Sequence, residues 1–473
     1  MATKRLVLGE WLPDQPGLTG ALTDAKNVVP VLNGYGPLPS VEVFSNSASE
    51  DLLTAVVGKF GDTVQLFAGG DSKLLKFDPN DLDLDDVSKA GGYTGVSRWN
   101  FTQFGKVLVA ANGNDDLQGW TIGTSTAWAD LSASAPVARF VTVVRDFVVA
   151  ANNSSYPNRI YWSDINDETD WTPGTTSQSD FQDIPDGGNI RGVTGGEFGL
   201  VLLDSSTYRM SYIGSPLFFQ FDAISRNLGC YEPNSIVQYG ARTFFLSADG
   251  FYVCDGNTIT PIGAEKVDRW FFDDVDEGKL DKMSTSIDPT RNIVAWCYPN
   301  TNAEQTILMY NWQTGKWSYG ITTAHFVCNV STVGTTLEQL DIYTSLEGVP
   351  ASLDSRLWAC GKSLFAGVRD AQIILFAGTP MLPQLVTGDF EEGMQSITKM
   401  AFPQIEGGSA DIAVASRFRL DGGVNFSSDN SASSENRVPL RSIGRYHRLR
   451  VKPTGNWTTA MAVDIEVQPV SGR

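Results

Sequence analysis

Apolar residues in this chain come in short runs separated by polar turn formers. Within residues 145–172, one apolar run covers 147–151 and a second covers 160–162. The segment 152–158 between them is rich in Asn and Ser, which predicts a β-hairpin with a longish loop. An acidic loop then ends on Trp171. The unit recurs. Residues 63–78 predict two strands about the pair Gly69-Gly70, residues 105–120 turn on Asn112-Gly113, and residues 199–212 repeat the pattern. Residues 242–255 turn on Asp249-Gly250, residues 291–317 repeat once more, and a weaker copy spans 339–356. Asn-Gly, Asp-Gly and Gly-Gly suit hairpins because type I′ turns need positive φ at both central positions. The copies start roughly every 40 to 53 residues, the period of a propeller blade. The expectation is an all-β chain with a β-propeller over residues 51–384. Unrelated hairpins in another β architecture are the alternative.

The two ends differ from this repeat. Residues 1–50 are irregular. The prolines of 25–39 oppose a helix or a central strand, so the segment predicts an extended arm packed on its own domain or on a neighbour. Residues 385–473 predict a separate, small antiparallel β-sandwich-like domain, with strands near 396–403, 411–420, 446–453 and 460–467. A short helix is expected within 271–283.

Composition sharpens the picture. A chain of 473 residues exceeds one ordinary core, and 46 Gly with 12 Trp fit short strands on tight reversals. The net charge of −19 argues against general nucleic-acid binding but suits a wall that DNA slides past. A local basic patch, Arg437, Arg441, Arg445, Arg448, Arg450 and Lys452, stands out in so acidic a chain. It reads either as a docking strand for an acidic surface or as an ordinary solvated strand face. Five cysteines without a CxxC pair suggest buried thiols in a reducing compartment. The first residues lack the apolar core of a signal peptide, and no run is long enough for a membrane span.

Catalytic signatures are sparse. His325 and His447 are the two histidines a triad could use, and no GxSxG elbow accompanies them. Gly361-Lys362-Ser363 has Arg356 where a phosphate-binding loop needs its first glycine. Asp81, Asp83 and Asp85 alternate and are weak calcium candidates, without the Gly and Glu of an EF-hand loop. No cofactor, catalytic residue or resident metal is expected, and the chain is read as a non-enzyme.

Three stretches carry a resemblance to a family. They are Asn27-Val28-Val29-Pro30 with Gly34-Tyr35-Gly36-Pro37-Leu38-Pro39, then Asn158-Arg159-Ile160-Tyr161-Trp162-Ser163-Asp164 ending at Asp170-Trp171, and finally Gly444-Arg445-Tyr446-His447-Arg448-Leu449-Arg450 with Gly455-Asn456-Trp457. In order and spacing they resemble the tail hub proteins of short-tailed bacteriophages, often labelled packaged-DNA stabilisation proteins. The resemblance implies a structural virion protein, assembled in the bacterial host cytoplasm and located in the virion tail. It implies a homo-oligomeric, six-fold nozzle ring below the portal and adaptor proteins. Such a ring extends the double-stranded DNA channel, helps retain the packaged genome, carries tailspikes, fibres or a needle, and serves DNA ejection. A closed ring needs heterologous interfaces. The candidate interface residues are Asn27, Pro30, Tyr35, Pro37, Pro39, Arg159, Trp162, Trp171, Arg445, Arg448 and Arg450. The alternatives are a glycan- or receptor-binding propeller, whose aromatic loops would stack on sugars, and a carbohydrate-active enzyme.

Overall fold

A computed structural model describes residues 2–18, 20–331 and 363–470. The weak repeat copy at 339–356, Cys360 and Gly361-Lys362 lie outside the described residues. The chain is nearly all-β and its repeats form a β-propeller. Six free-standing four-stranded antiparallel sheets are blades. A further four-stranded array, from Ser284–Asp288 to Lys316–Thr322, fills the remaining place in the ring and continues into a 14-stranded sheet.

The innermost strands are Leu52–Phe60, Asn100–Phe104, Phe140–Val144, Ile190–Thr194, Val237–Tyr239, Ser284–Asp288 and Phe326–Ser331. Hydrogen bonds join each to the next. Gln103 Nε2 donates to Lys59 O at 2.6 Å, and Val141 N donates to Asn100 Oδ1 at 2.8 Å. Gly196 N donates to Val143 O at 2.8 Å, and Gln238 Nε2 donates to Gly195 O at 2.5 Å. Thr285 Oγ1 donates to Asn234 O, and Val327 N donates to Ser284 Oγ. Leu52 N, bonded to Asp370 O, closes the circle. The closing blade takes its outer strand, Glu42–Val43, from the N-terminal segment, paired with Ile374 and Leu375. Aromatic side chains fill the spaces between blades. Phe67 meets Trp120 edge-on at 5.0 Å beside buried Trp99 and Trp128.

Local geometry departs from the sequence reading in instructive places. Strands Phe147–Asn153 and Tyr156–Trp162 absorb most of the expected loop and leave Ser154-Ser155 as the turn. Asn152 adopts a φ of 62°, and the register shifts between Ala151 and Asn153, so the Asn-rich segment encodes a bulge. Gly69-Gly70 lies inside the strand Thr63–Gly70, because Glu50 and Trp99 crowd there and leave no room for side chains. The expected helix is two short pieces, Asp268–Asp274 and the 3-10 turn Glu277–Lys282.

Three of the C-terminal strands are longer than expected, Phe390–Glu406, Val438–Thr454 and Thr459–Pro469, and the fourth is Ser409–Arg417. Nor do they stand apart from the propeller. One hydrophobic cluster contains Trp11, Tyr35, Phe251, Trp296, Trp317, Leu449 and Val463. It joins the N-terminal segment, two blades and the C-terminal strands in one core.

Candidate functional site

Three places have geometry that can act, and the first two hold residues singled out by sequence. They are the seam between propeller and C-terminal strands, the blade surface around Arg159, and the central channel.

The seam is built by the N-terminal segment. Strand Ala2–Val7 pairs with Thr459–Pro469, and Asp24–Lys26 bridges Lys316–Thr322 to Gln384–Val386. Val28–Val31 and Gly34–Pro37 form a hairpin at the sheet's far edge, where the missing N–H of Pro30 costs no ladder bond. Asn27, at φ 56°, clamps the join. Its Oδ1 accepts from Ile321 N at 3.1 Å and its Nδ2 donates to Leu382 O at 2.9 Å. Tyr35 is fully buried and donates its hydroxyl to Gly9 O at 2.9 Å. Gly34 lies so close to Ala460 O that a Cβ would stand 2.0 Å away. These contacts pack the arm on its own chain, one of the two placements expected for it. Asn27, Pro30 and Tyr35 are buried within the chain, while Pro37 and Pro39 are half-buried.

The C-terminal arginines are also committed internally. Asp389 receives Arg448 Nε at 3.1 Å and Nη2 at 2.8 Å, and Arg417 Nη2 at 2.6 Å. Arg450 and Lys452 share Asp429, and Arg445 meets Glu391 at 3.2 Å. Of the three C-terminal arginines among the candidate interface residues, Arg445 alone is exposed, and the basic patch is mostly a set of ion pairs. Beside it His447 is fully buried, with Ser396 Oγ 2.8 Å from Nε2 and Ser416 Oγ 2.7 Å from Nδ1. Burial pushes the imidazole down to about 4, so it is neutral at ordinary pH. His325 is exposed and lies 3.5 Å from Asp370.

On the blade surface, Arg159 donates twice to Asp183, at 2.6 and 2.9 Å. Its guanidinium also lies 3.9 Å from the Tyr156 ring centroid and 4.1 Å from that of Phe181. Both residues are exposed, at 48% and 41%. Trp162 and Trp171 are buried instead, donating to Gln178 O and Glu168 O. They anchor blade structure and present no contact surface. Asp81, Asp83 and Asp85 are exposed, and Asp81 and Asp83 accept local bonds from Asp83 N and Asn46. No group of three or more metal-binding side chains gathers among the described residues.

The central channel was not legible in sequence. It forms a cavity of about 320 Å³ between the innermost strands, with Arg98 and Arg139 among its lining residues and no lining carboxylate. Each arginine stands just before an inner strand, in Arg98-Trp99-Asn100 and Arg139-Phe140. Arg98 Nη2 donates to Met283 O at 2.6 Å, and its guanidinium lies over the Phe326 ring. Burial lowers it to about 10. Glu232 sits behind the lining, capping the 3-10 turn Pro233–Ser235 through Asn234 N. Burial raises its carboxyl despite the two nearby arginines.

A scan against protein-family models and a search of curated proteins both return no match. Solved structures do resemble the fold. The extracellular domain of a one-component system from B. thetaiotaomicron aligns at 10% identity and a TM-score of 0.43, covering 85% of this chain. The chain spans only 47% of that domain's length. The computationally designed Ika8 protein aligns at 13% identity and a TM-score of 0.38, covering 72% of this chain and 99% of its own. A chain of the mitotic checkpoint complex gives 10% identity and a TM-score of 0.38, covering 64% of this chain and 90% of its own. No helix among the described residues is long and apolar enough to cross a membrane.

Proposed function

We propose that the chain is a structural subunit of a short-tailed phage tail, a hub or nozzle protomer that extends the DNA channel below the portal and adaptor. The carrying observation is the shared core at the seam. One blade of the propeller lies in one continuous sheet with the first and last strands, and its core is shared with the N-terminal segment and the C-terminal strands. Domains joined by a small polar interface move relative to one another, whereas a large apolar interface holds them as one body. A protomer that passes force between capsid and fibre needs that rigidity. The net charge of −19 agrees with a wall that repels phosphate. Assembly of the purified chain on a portal–adaptor complex, imaged by cryo-electron microscopy, tests the reading.

A second reading has its own observation. Tyr156 and Phe181 expose flat apolar rings on either side of Arg159 and Asp183, the combination of stacking and hydrogen bonding that sugars use. A glycan array probed with the parent chain and with Phe181→Ala tests it. Hits lost in the variant support a glycan-binding role, and an array without hits removes it.

A further inference from the structure

We propose that the central channel of the propeller is a binding site for a small oxyanion, a carboxylate- or phosphate-bearing molecule gripped by Arg139. Three observations converge on this. The cavity of about 320 Å³ has the size of a small-molecule site. Its lining holds two arginines and no carboxylate, although Asp and Glu number 54 and Lys and Arg only 35 in the whole chain. The two arginines are also used differently. Arg98 gives its Nη2 to the carbonyls of Met283 and Asp281. Arg139 makes no side-chain hydrogen bond and no ion pair among the described residues; its guanidinium lies 5.3 Å from the ring of its own neighbour, Phe140.

The electrostatics agree with the geometry. Burial disfavours the charge of both Arg98 and Arg139, and a neighbouring arginine adds to it for each, Arg139 for Arg98 and Arg191 for Arg139. Glu232 offsets this from behind the lining, without a direct ion pair. An oxyanion in the channel relieves the repulsion and supplies the missing acceptors. A guanidinium donates two parallel hydrogen bonds to a carboxylate or phosphate. Thr102 and Thr142 also line the cavity and add hydroxyl-bearing side chains to it. The site is independent of ring assembly, so its test stands apart from that of the hub reading.

The experiment is isothermal titration calorimetry of the full chain with inorganic phosphate, with citrate and with neutral glucose. Each is repeated on Arg139→Gln and Thr142→Val, with thermal melting to establish that the variants fold. Phosphate or citrate binding at a Kd of about 1 mM or tighter, at least tenfold weaker in Arg139→Gln and absent for glucose, is the expected result. The stronger of the two anions identifies the ligand chemistry. Binding of neither anion, or binding unchanged in a folded Arg139→Gln, overturns the proposal. If Arg139→Gln does not fold, unaltered anion affinity in Thr142→Val overturns it and several-fold weakening upholds it.

Discussion

Gln103 grips the backbone of Lys59 in the neighbouring blade with both ends of its amide. Its Oε1 accepts from Lys59 N at 3.0 Å and its Nε2 donates to Lys59 O at 2.6 Å. Gln238 repeats the arrangement on Gly195, accepting at 3.1 Å and donating at 2.5 Å. Each also donates to a glycine two positions on, Gly105 or Gly240, so Gln-aromatic-Gly is a recurring blade-to-blade staple. Truncating Gln103 to Ala removes three hydrogen bonds at a partly exposed site. The expected cost is about 1–3 kcal/mol, read as a lower midpoint in urea unfolding. The double variant with Gln238→Ala should be near additive, because the two staples join different blades.

The Asp389 cluster and Arg445 should respond very differently. Asp389 is buried and holds both Arg417 and Arg448, so Asp389→Ala leaves two guanidinium groups without their acceptor. A loss of about 3–5 kcal/mol is expected. Arg445 and Glu391 form an exposed pair, and Arg445→Ala should change stability by less than about 1 kcal/mol. Denaturant titration of both variants checks the contrast. A surface interface role for Arg445 would then show in assembly and leave folding unaffected.

His447 gives the fold a defined acid sensitivity. Its pKa is depressed in the folded state to about 4, below the unfolded value of 6.5. The stability it contributes is therefore full above pH 6.5 and is lost as pH falls through 4. His447→Gln removes this titration, and the fall in stability between those limits should shrink by on the order of 3 kcal/mol. Unfolding curves at pH values across that window measure it.

Much of the architecture was legible because blade strands obey local rules. Buried runs such as Ile293–Pro299, turn pairs such as Asp249-Gly250 and the spacing between copies announce a propeller without tertiary information. The N-terminal segment was harder. Its prolines signal an irregular path, but which strand Asn27 or Tyr35 meets depends on partners some 300 or more residues away. Sequence therefore marked an arm that packs on a surface and left open whether that surface belongs to this chain or to a neighbour. The pairing within the arginine patch was hidden for the same reason, since Asp389 and Asp429 reach Arg448, Arg450 and Lys452 from other segments. The channel site had no local signal beyond an arginine placed before each of two inner strands. Gln103 and Gln238, by contrast, share the pattern Gln-aromatic-Gly and could have been found.

The central claim is that this chain is a protomer of a tail nozzle, and symmetric assembly tests it most directly. The purified chain would be mixed with a portal–adaptor complex and reconstructed by cryo-electron microscopy without imposed symmetry. The account predicts a six-fold ring seated below the adaptor, each protomer moving as one body, around a channel wide enough for a DNA duplex. A chain that stays monomeric beside the complex, or that decorates its periphery singly, would contradict it.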